Sequence, residues 1–259
     1  MRVKNKIFIL ISSFVATILI TSIFFILNDF NSLNKQYVLD DLKEKSLNYS
    51  KNISNKIEIG VDKLEFLKLT TLNILKYDID RESILDDLLI NILKTDKDML
   101  MLSSWVVFDS KDLTNNLSNK FFYRFDDDIK KIDNIDFKSE NFYLLAKERM
   151  DSVVTNPYTK TILDKEYFIF TIVTPIVFEN IFIGVVGIDY DLRAFKSFIN
   201  SLDFKDGFLS LISSDFIYAT NINSSKIKKN IGYSIEQEEI KRVLKLDRSY
   251  IKEGDSSDI

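Results

Sequence analysis

The 259-residue sequence has no cysteine and no histidine, and only 6 glycines and 2 prolines. The first two absences exclude thiol nucleophiles, disulfides, Cys/His zinc sites and Ser-His-Asp triads. An enzyme made from this chain would have to work with carboxylates, lysine, tyrosine and serine, or with a carboxylate-bound metal. Few glycines and prolines mean few designed breaks, which predicts long regular elements. The formal net charge is −4, so no basic field invites nucleic acid. No Gly-rich phosphate loop occurs. Asp126, Asp127 and Asp128 are consecutive and cannot all point at one ion, so they are read as a solvated turn. Nothing singles out a carboxylate pair for glycoside chemistry. A hydrophobic share of 46% and a charged share of 29% exclude wholesale disorder. Freedom from cysteine suits an extracytoplasmic location.

What is present begins with a long apolar run. Ile7 to Leu27 carries no charge over about 21 residues, roughly 30 Å of helix, which matches the hydrocarbon thickness of a bilayer. Arg2, Lys4 and Lys6 precede it, and Asp29, Lys35, Asp40 and Asp41 follow. The positive-inside rule then puts the N-terminus in the cytoplasm and the rest outside the cell (inner) membrane, periplasmic or extracellular. A cleaved signal peptide is the rival, but its apolar core would be shorter and would end in small residues rather than Phe24-Phe25-Ile26-Leu27.

From residue 29 to about 77 a helical stripe runs through Leu33, Tyr37, Leu42, Leu47, Ile53, Ile57, Val61, Leu64, Leu67 and Leu72, with Gly60 as its one weak point. This predicts a stalk helix leaving the membrane, able to pack on a domain, on a second copy, or on both. A second amphipathic helix is expected over Arg81–Lys94. After Met99 the period changes to that of strands: Leu102–Phe108, Lys120–Phe125, Tyr167–Phe178 and Ile181–Tyr190, the last two forming a hairpin. Residues 139–149 read as a short helix and Asp151–Thr161 as a loop. A linking helix over Asp191–Leu202 leads to weaker strands at Phe208–Ser213, Phe216–Ala219 and Arg248–Lys252, with a helix near Ile235–Leu246. The fold class is α+β. The sheet of the last section is not completed at Ile259, which predicts a fragment or a truncated gene product.

The run FIFTIVTPIVFENIFIGVVGIDYDLRAF at 168–195 resembles double-Cache sensor domains of bacterial chemotaxis receptors. The residues that carry the resemblance are Thr174, Pro175, Gly184, Val185, Gly187 and Asp189. Asp136 to Tyr143 followed by Asn156-Pro157-Tyr158 is similar to the family's upstream pattern, and Ile231-Gly232 to a turn of its membrane-proximal module. The resemblance implies an N-terminal cytoplasmic and transmembrane segment (1–28), a stalk and second helix (29–98), a complete PAS-like membrane-distal module (99–202) and a partial membrane-proximal one (203–259). It implies a small-molecule sensor, not an enzyme, with no cofactor. The sensor would dimerise through its stalk and belong to a methyl-accepting chemotaxis protein. Alternatives are the sensor of a histidine kinase or diguanylate cyclase, or a tethered structural or partner-binding ectodomain.

In the amino-acid-binding members of that family an arginine grips the ligand carboxylate and carboxylates take its ammonium. Carried onto this sequence, Tyr143, Tyr158 and Asp189 match, while Phe142 stands at the tryptophan position and Ile135 at the first tyrosine position. The arginine position is Glu140, and the aspartate two beyond Tyr158 is Lys160. The charge at both ends of the expected site is inverted, which argues against amino-acid binding in the family manner. Arg124 or Lys160 could supply a cation for an anion; Glu140 and Asp189 could hold a cationic or neutral ligand. Asp189 could instead cap the helix that follows it, but Asp191 can do that equally well. Phe142 is explained by packing alone, and Trp105 reads as core.

Overall fold

In a computed structural model the described residues are 3–76, 81–109, 117–126, 128–133, 136–201, 210–213, 217–220 and 226–229; side chains of residues 3–13, 15, 16, 81 and 201 are outside the description. Helix α1 runs without interruption over Val3–Lys76, and α2 over Arg81–Lys94. Among the described residues no helix is long and apolar enough to cross a membrane. The span expected over 7–27 falls partly on residues whose side chains are not described. The chain divides into two compact units, one containing residues 1–53 and the other residues 54–238. In the first, Phe14, Ile18, Leu19, Ile20 and Ile23 to Leu27 are exposed apolar side chains of α1.

The second unit is built on an antiparallel sheet. Its strands are β1 (Met101–Phe108), β2 (Lys120–Phe125), β3 (Asp128–Ile132), β4 (Val153–Val154), β5 (Tyr158–Ile162), β6 (Lys165–Phe178) and β7 (Ile181–Asp191). The order is β3-β2-β1-β7-β6-β4, with β5 also paired to β6. This is a PAS-like α+β arrangement. Helix α3 (Asn141–Arg149) lies over one face; α2 and the 54–76 part of α1 lie over the other. Both faces are therefore covered, which is why β6 and β7 read as nearly continuous apolar runs rather than alternating ones. The β6–β7 hairpin turns on Glu179 and Asn180, both with φ near +50 to +64°, the geometry of a type I′ turn. Asp191 caps helix α4 (Leu192–Ser201), its carboxylate accepting from the Arg193 amide at 2.9 Å.

Two segments differ from the sequence expectation. The stretch 151–161 is not simply a loop: it contains β4 and most of β5. The acidic run is not only a turn, because Asp126 turns at φ +53° and Asp128 already begins β3. Further along, β8 (Leu211–Ile212) pairs with β9 (Tyr218–Thr220) in a small separate sheet. The helix expected at 235–246 and the strand at 248–252 lie outside the described residues.

Gly60 is a docking notch rather than a weak point. A Cβ there would collide with the hydroxyl of Tyr190, which reaches α1 from β7. Tyr190 stacks on Phe170 with ring centroids 4.8 Å apart and packs on Phe195 of α4. These contacts bring β7, α1 and α4 together on the face opposite α3.

Candidate ligand-binding site

Strand register places four polar side chains in one row on the α3 face. Ser103 of β1 pairs with Tyr123 of β2 on one side and with Asp189 of β7 on the other; Asp189 pairs in turn with Thr171 of β6. Directly paired residues project from the same face of a sheet, so the row follows from backbone pairing alone. Tyr158 and Lys160 of β5 pair with Ile169 and Tyr167, which have the parity of Thr171, so they too project to this face.

Asp189 is fully buried and is the hub. One carboxylate oxygen accepts from the Thr171 hydroxyl at 2.6 Å. The other accepts from the Ser103 hydroxyl at 2.5 Å and from the Lys160 ammonium at 2.8 Å. Thr171 has a single hydroxyl proton and gives it to Asp189. Its oxygen, 2.6 Å from the Tyr158 hydroxyl, must therefore accept from Tyr158. Burial, and then the charge of Asp189, push the Tyr158 phenol well above its ordinary range, which keeps that proton in place. A buried carboxylate needs a cation and several donors, and this one has both.

Aromatic rings wall the group. The Lys160 nitrogen lies 4.3 Å from the Phe137 ring centroid, 5.0 Å from Phe121 and 6.0 Å from Trp105. Phe142 of α3 packs on Trp105, Phe137 and Tyr158. Trp105 fits because its strand partner is Gly187: any side chain at 187 would run into the indole. Among the described residues, the buried Trp105 Nε1 and Tyr123 Oη have no hydrogen-bond partner.

The sequence-predicted residues divide clearly. Phe142, Tyr158, Lys160 and Asp189 come together. Glu140 is exposed at the head of α3; its carbonyl takes the first turn's amides, and its charge reaches Tyr158. Tyr143 turns away, donating to Asp109 at 2.7 Å while its ring meets Phe182 edge-on. Arg124 is on the wrong face. It follows Tyr123 on β2 and so faces the other way, where its guanidinium donates to the Leu93 carbonyl at 2.7 Å and anchors the end of α2. It cannot supply the cation considered for it. Ser103, Thr171, Phe121 and Phe137 were not singled out in the sequence. The parity of Ser103, Thr171 and Asp189 could have revealed the row, given the register. Among the described residues no group of three or more acidic side chains is placed to hold a metal.

The geometry is that of a PAS-like sheet with a buried polar row beneath a short helix. Residues 85–197 match the family model described as methyl-accepting chemotaxis protein-like, first PDC sensor domain. The chain is 31% identical over 98 residues to methyl-accepting chemotaxis protein PscA of Pseudomonas syringae pv. tomato, a match covering 38% of this chain and 15% of that protein. Its fold is similar to the solved structure of methyl-accepting chemotaxis protein X (TM-score 0.65, 17% identity, 81% of this chain and 84% of the other). It is also similar to the extracellular domain of a histidine kinase named mmHK1S-Z3 (TM-score 0.63, 18% identity, 77% of each chain). Residues 85–197 are thus similar to the sensor domains of chemotaxis receptors, in keeping with the double-Cache resemblance.

Proposed function

We propose that the chain is the sensory part of a transmembrane chemotaxis receptor, and that it detects a small molecule at the Asp189 site. One observation carries this reading. A fully buried carboxylate, held by three donors and walled by aromatic rings, sits on the α3 face of the sheet. A few convergent polar groups inside an aromatic wall are the composition of a small-molecule site. Residues 7–27 would anchor the chain with its N-terminus in the cytoplasm, and 29–98 would form the stalk of a homodimer. Residues 99–202 would be the ligand-binding module and 203–259 part of a membrane-proximal one. Ligand binding would bias the stalk between two arrangements separated by a few kcal/mol. A histidine-kinase output is the second reading, favoured by the fold likeness to such a kinase's extracellular domain.

The test uses the full chain in detergent, heated with amino acids, carboxylates, amines, purines and sugars. A specific ligand at about 100 times its Kd adds roughly 2.7 kcal/mol. The expected result is a hit lost in Asp189→Ala and Tyr158→Ala and kept in Tyr143→Phe. A folded chain that binds nothing moves the reading to partner sensing or a structural ectodomain.

A further inference from the structure

We infer that Lys160 is a resident ligand: its side chain fills a site for a primary alkylammonium, and removing it creates a receptor for one. The inference rests on the reading of Asp189 as a ligand-site residue and adds what that site is shaped to hold. The surroundings of the Lys160 nitrogen are those of an ammonium-recognition site. A buried carboxylate oxygen lies 2.8 Å away, and three aromatic rings stand around it at 4.3, 5.0 and 6.0 Å. Asp189 and all three rings are buried, Asp189, Phe121 and Trp105 completely and Phe137 nearly so. Lys160 alone comes from the edge strand β5 and keeps 14% of its side chain in contact with solvent. The cage is thus built by β1, β2, β7 and Phe137, and the occupant is delivered from outside it.

Two consequences follow from the chemistry. In the natural protein no free amine can pair with Asp189 unless Lys160 leaves, so the site discriminates against ligands that rely on an ammonium there. The two unpartnered donors of the same cluster, Trp105 Nε1 and Tyr123 Oη, instead favour a ligand that brings acceptors. If Lys160 is cut back to alanine, the atoms lost are those of n-propylammonium, and the buried Asp189 charge is left without its cation.

The experiment measures thermal stability and calorimetric binding of the full chain and of Lys160→Ala with propylammonium chloride. Sodium chloride at equal ionic strength and n-propanol are the controls. Lys160→Ala is expected to melt lower than the natural protein. Propylammonium should restore at least half of the loss, saturably and in the millimolar range, while leaving the natural protein unmoved. The double variant Lys160→Ala, Asp189→Asn should show no restoration. A folded Lys160→Ala that ignores propylammonium, or responds equally to propanol, overturns the inference. So does a natural protein that binds propylammonium as well as the variant does. If Lys160→Ala does not fold unaided, refolding it from urea with propylammonium gives the same reading: recovery supports the inference and its absence overturns it. Failure here is separable from failure of the sensing proposal. Propylammonium uptake by the variant, with no ligand for the natural protein, keeps the inference and removes small-molecule sensing at this site. A ligand for the natural protein, with no uptake by a folded variant, does the reverse.

Discussion

The two faces of the sheet are made by the same strands, and neighbouring residues serve opposite ends. Ser103 donates to Asp189 on the α3 face; Ser104 donates to the Leu89 carbonyl and fastens α2. Tyr123 joins the polar row, while Arg124 ties β2 to the end of α2. Asp189 is the hub of one face, and Tyr190 docks into the Gly60 notch on the other. Each face even has an ion-paired lysine, Lys120 buried and Lys160 partly exposed. Lys120 is paired with Glu82 and Asp86 of α2 and serves packing, whereas Lys160 is caged by rings beside Asp189. The α2 face pairs Ser104 and Arg124 with backbone carbonyls and Lys120 with helix carboxylates, meeting its polar groups from the helices. The α3 face satisfies them with one another, leaves two donors unpaired, and keeps a way out to solvent along β5. The first face ties its helices to the sheet, and the second holds the polar cluster proposed as the site.

The sharpest way to break that contrast is to unbalance Lys160 and Asp189. Lys160→Ala strands a buried carboxylate and should cost about 3–5 kcal/mol in urea unfolding. Replacing both partners together, as Lys160→Met with Asp189→Leu, should cost far less and abolish any ligand response. A double as costly as the single would mean that the pair is ordinary packing. Next in size are the neighbouring serines. Ser103→Ala removes a hydrogen bond to a charged group, about 1.5–3 kcal/mol, and should change ligand response. Ser104→Ala removes one to a neutral carbonyl, about 0.5–1.5 kcal/mol, and should leave the response alone. Equal effects on ligand binding would erase the division between the faces.

Gly60 tests the packing face. Gly60→Ala gains helix propensity of about 1 kcal/mol but drives a methyl group into the Tyr190 hydroxyl, an overpacking cost of about 1–3 kcal/mol. A net loss of around 1 kcal/mol is expected, and Tyr190→Phe in the same chain should recover part of it. A stabilised Gly60→Ala single variant would show that the notch is not needed.

How much of this was legible beforehand depends on parity. The helices and the long strands were readable because their apolar periods are strong: α2, β2 and the β6–β7 hairpin appear where the pattern puts them. Strand β5 was hidden because its inward positions are Tyr158, Lys160 and Ile162. A charge at the middle one breaks the apolar alternation that marks a strand, and that charge pairs with Asp189. Asp189 stands out through family likeness, and Asp191 rather than Asp189 caps α4. Ser103 and Thr171 escaped notice because small polar residues within apolar strands carry no signal until register aligns them. Arg124 was misplaced for the same reason: one residue of offset on a strand changes the face.

The smallest effect lies at the rim, where the two faces no longer differ. Asp109 closes β1 and accepts from Tyr143 at 2.7 Å and from Lys147 at 2.9 Å. Burial alone would raise its pKa, but the hydrogen bonds from Lys147 and Tyr143 outweigh burial and hold the carboxyl below its ordinary range. A depressed carboxylate adds stability above its unfolded pKa and loses it as pH falls through the folded one. Because Lys147 is 44% exposed, solvent screens the pair and the contribution should stay below about 1 kcal/mol. Urea unfolding from pH 6 down to about 2.5 should therefore fall less steeply for Asp109→Asn than for the natural protein. Ligand response at Asp189 should be the same in both. A changed ligand response in Asp109→Asn would mean that α3, which carries Tyr143 toward Asp109 and Phe142 toward Lys160's cage, couples the rim to the site.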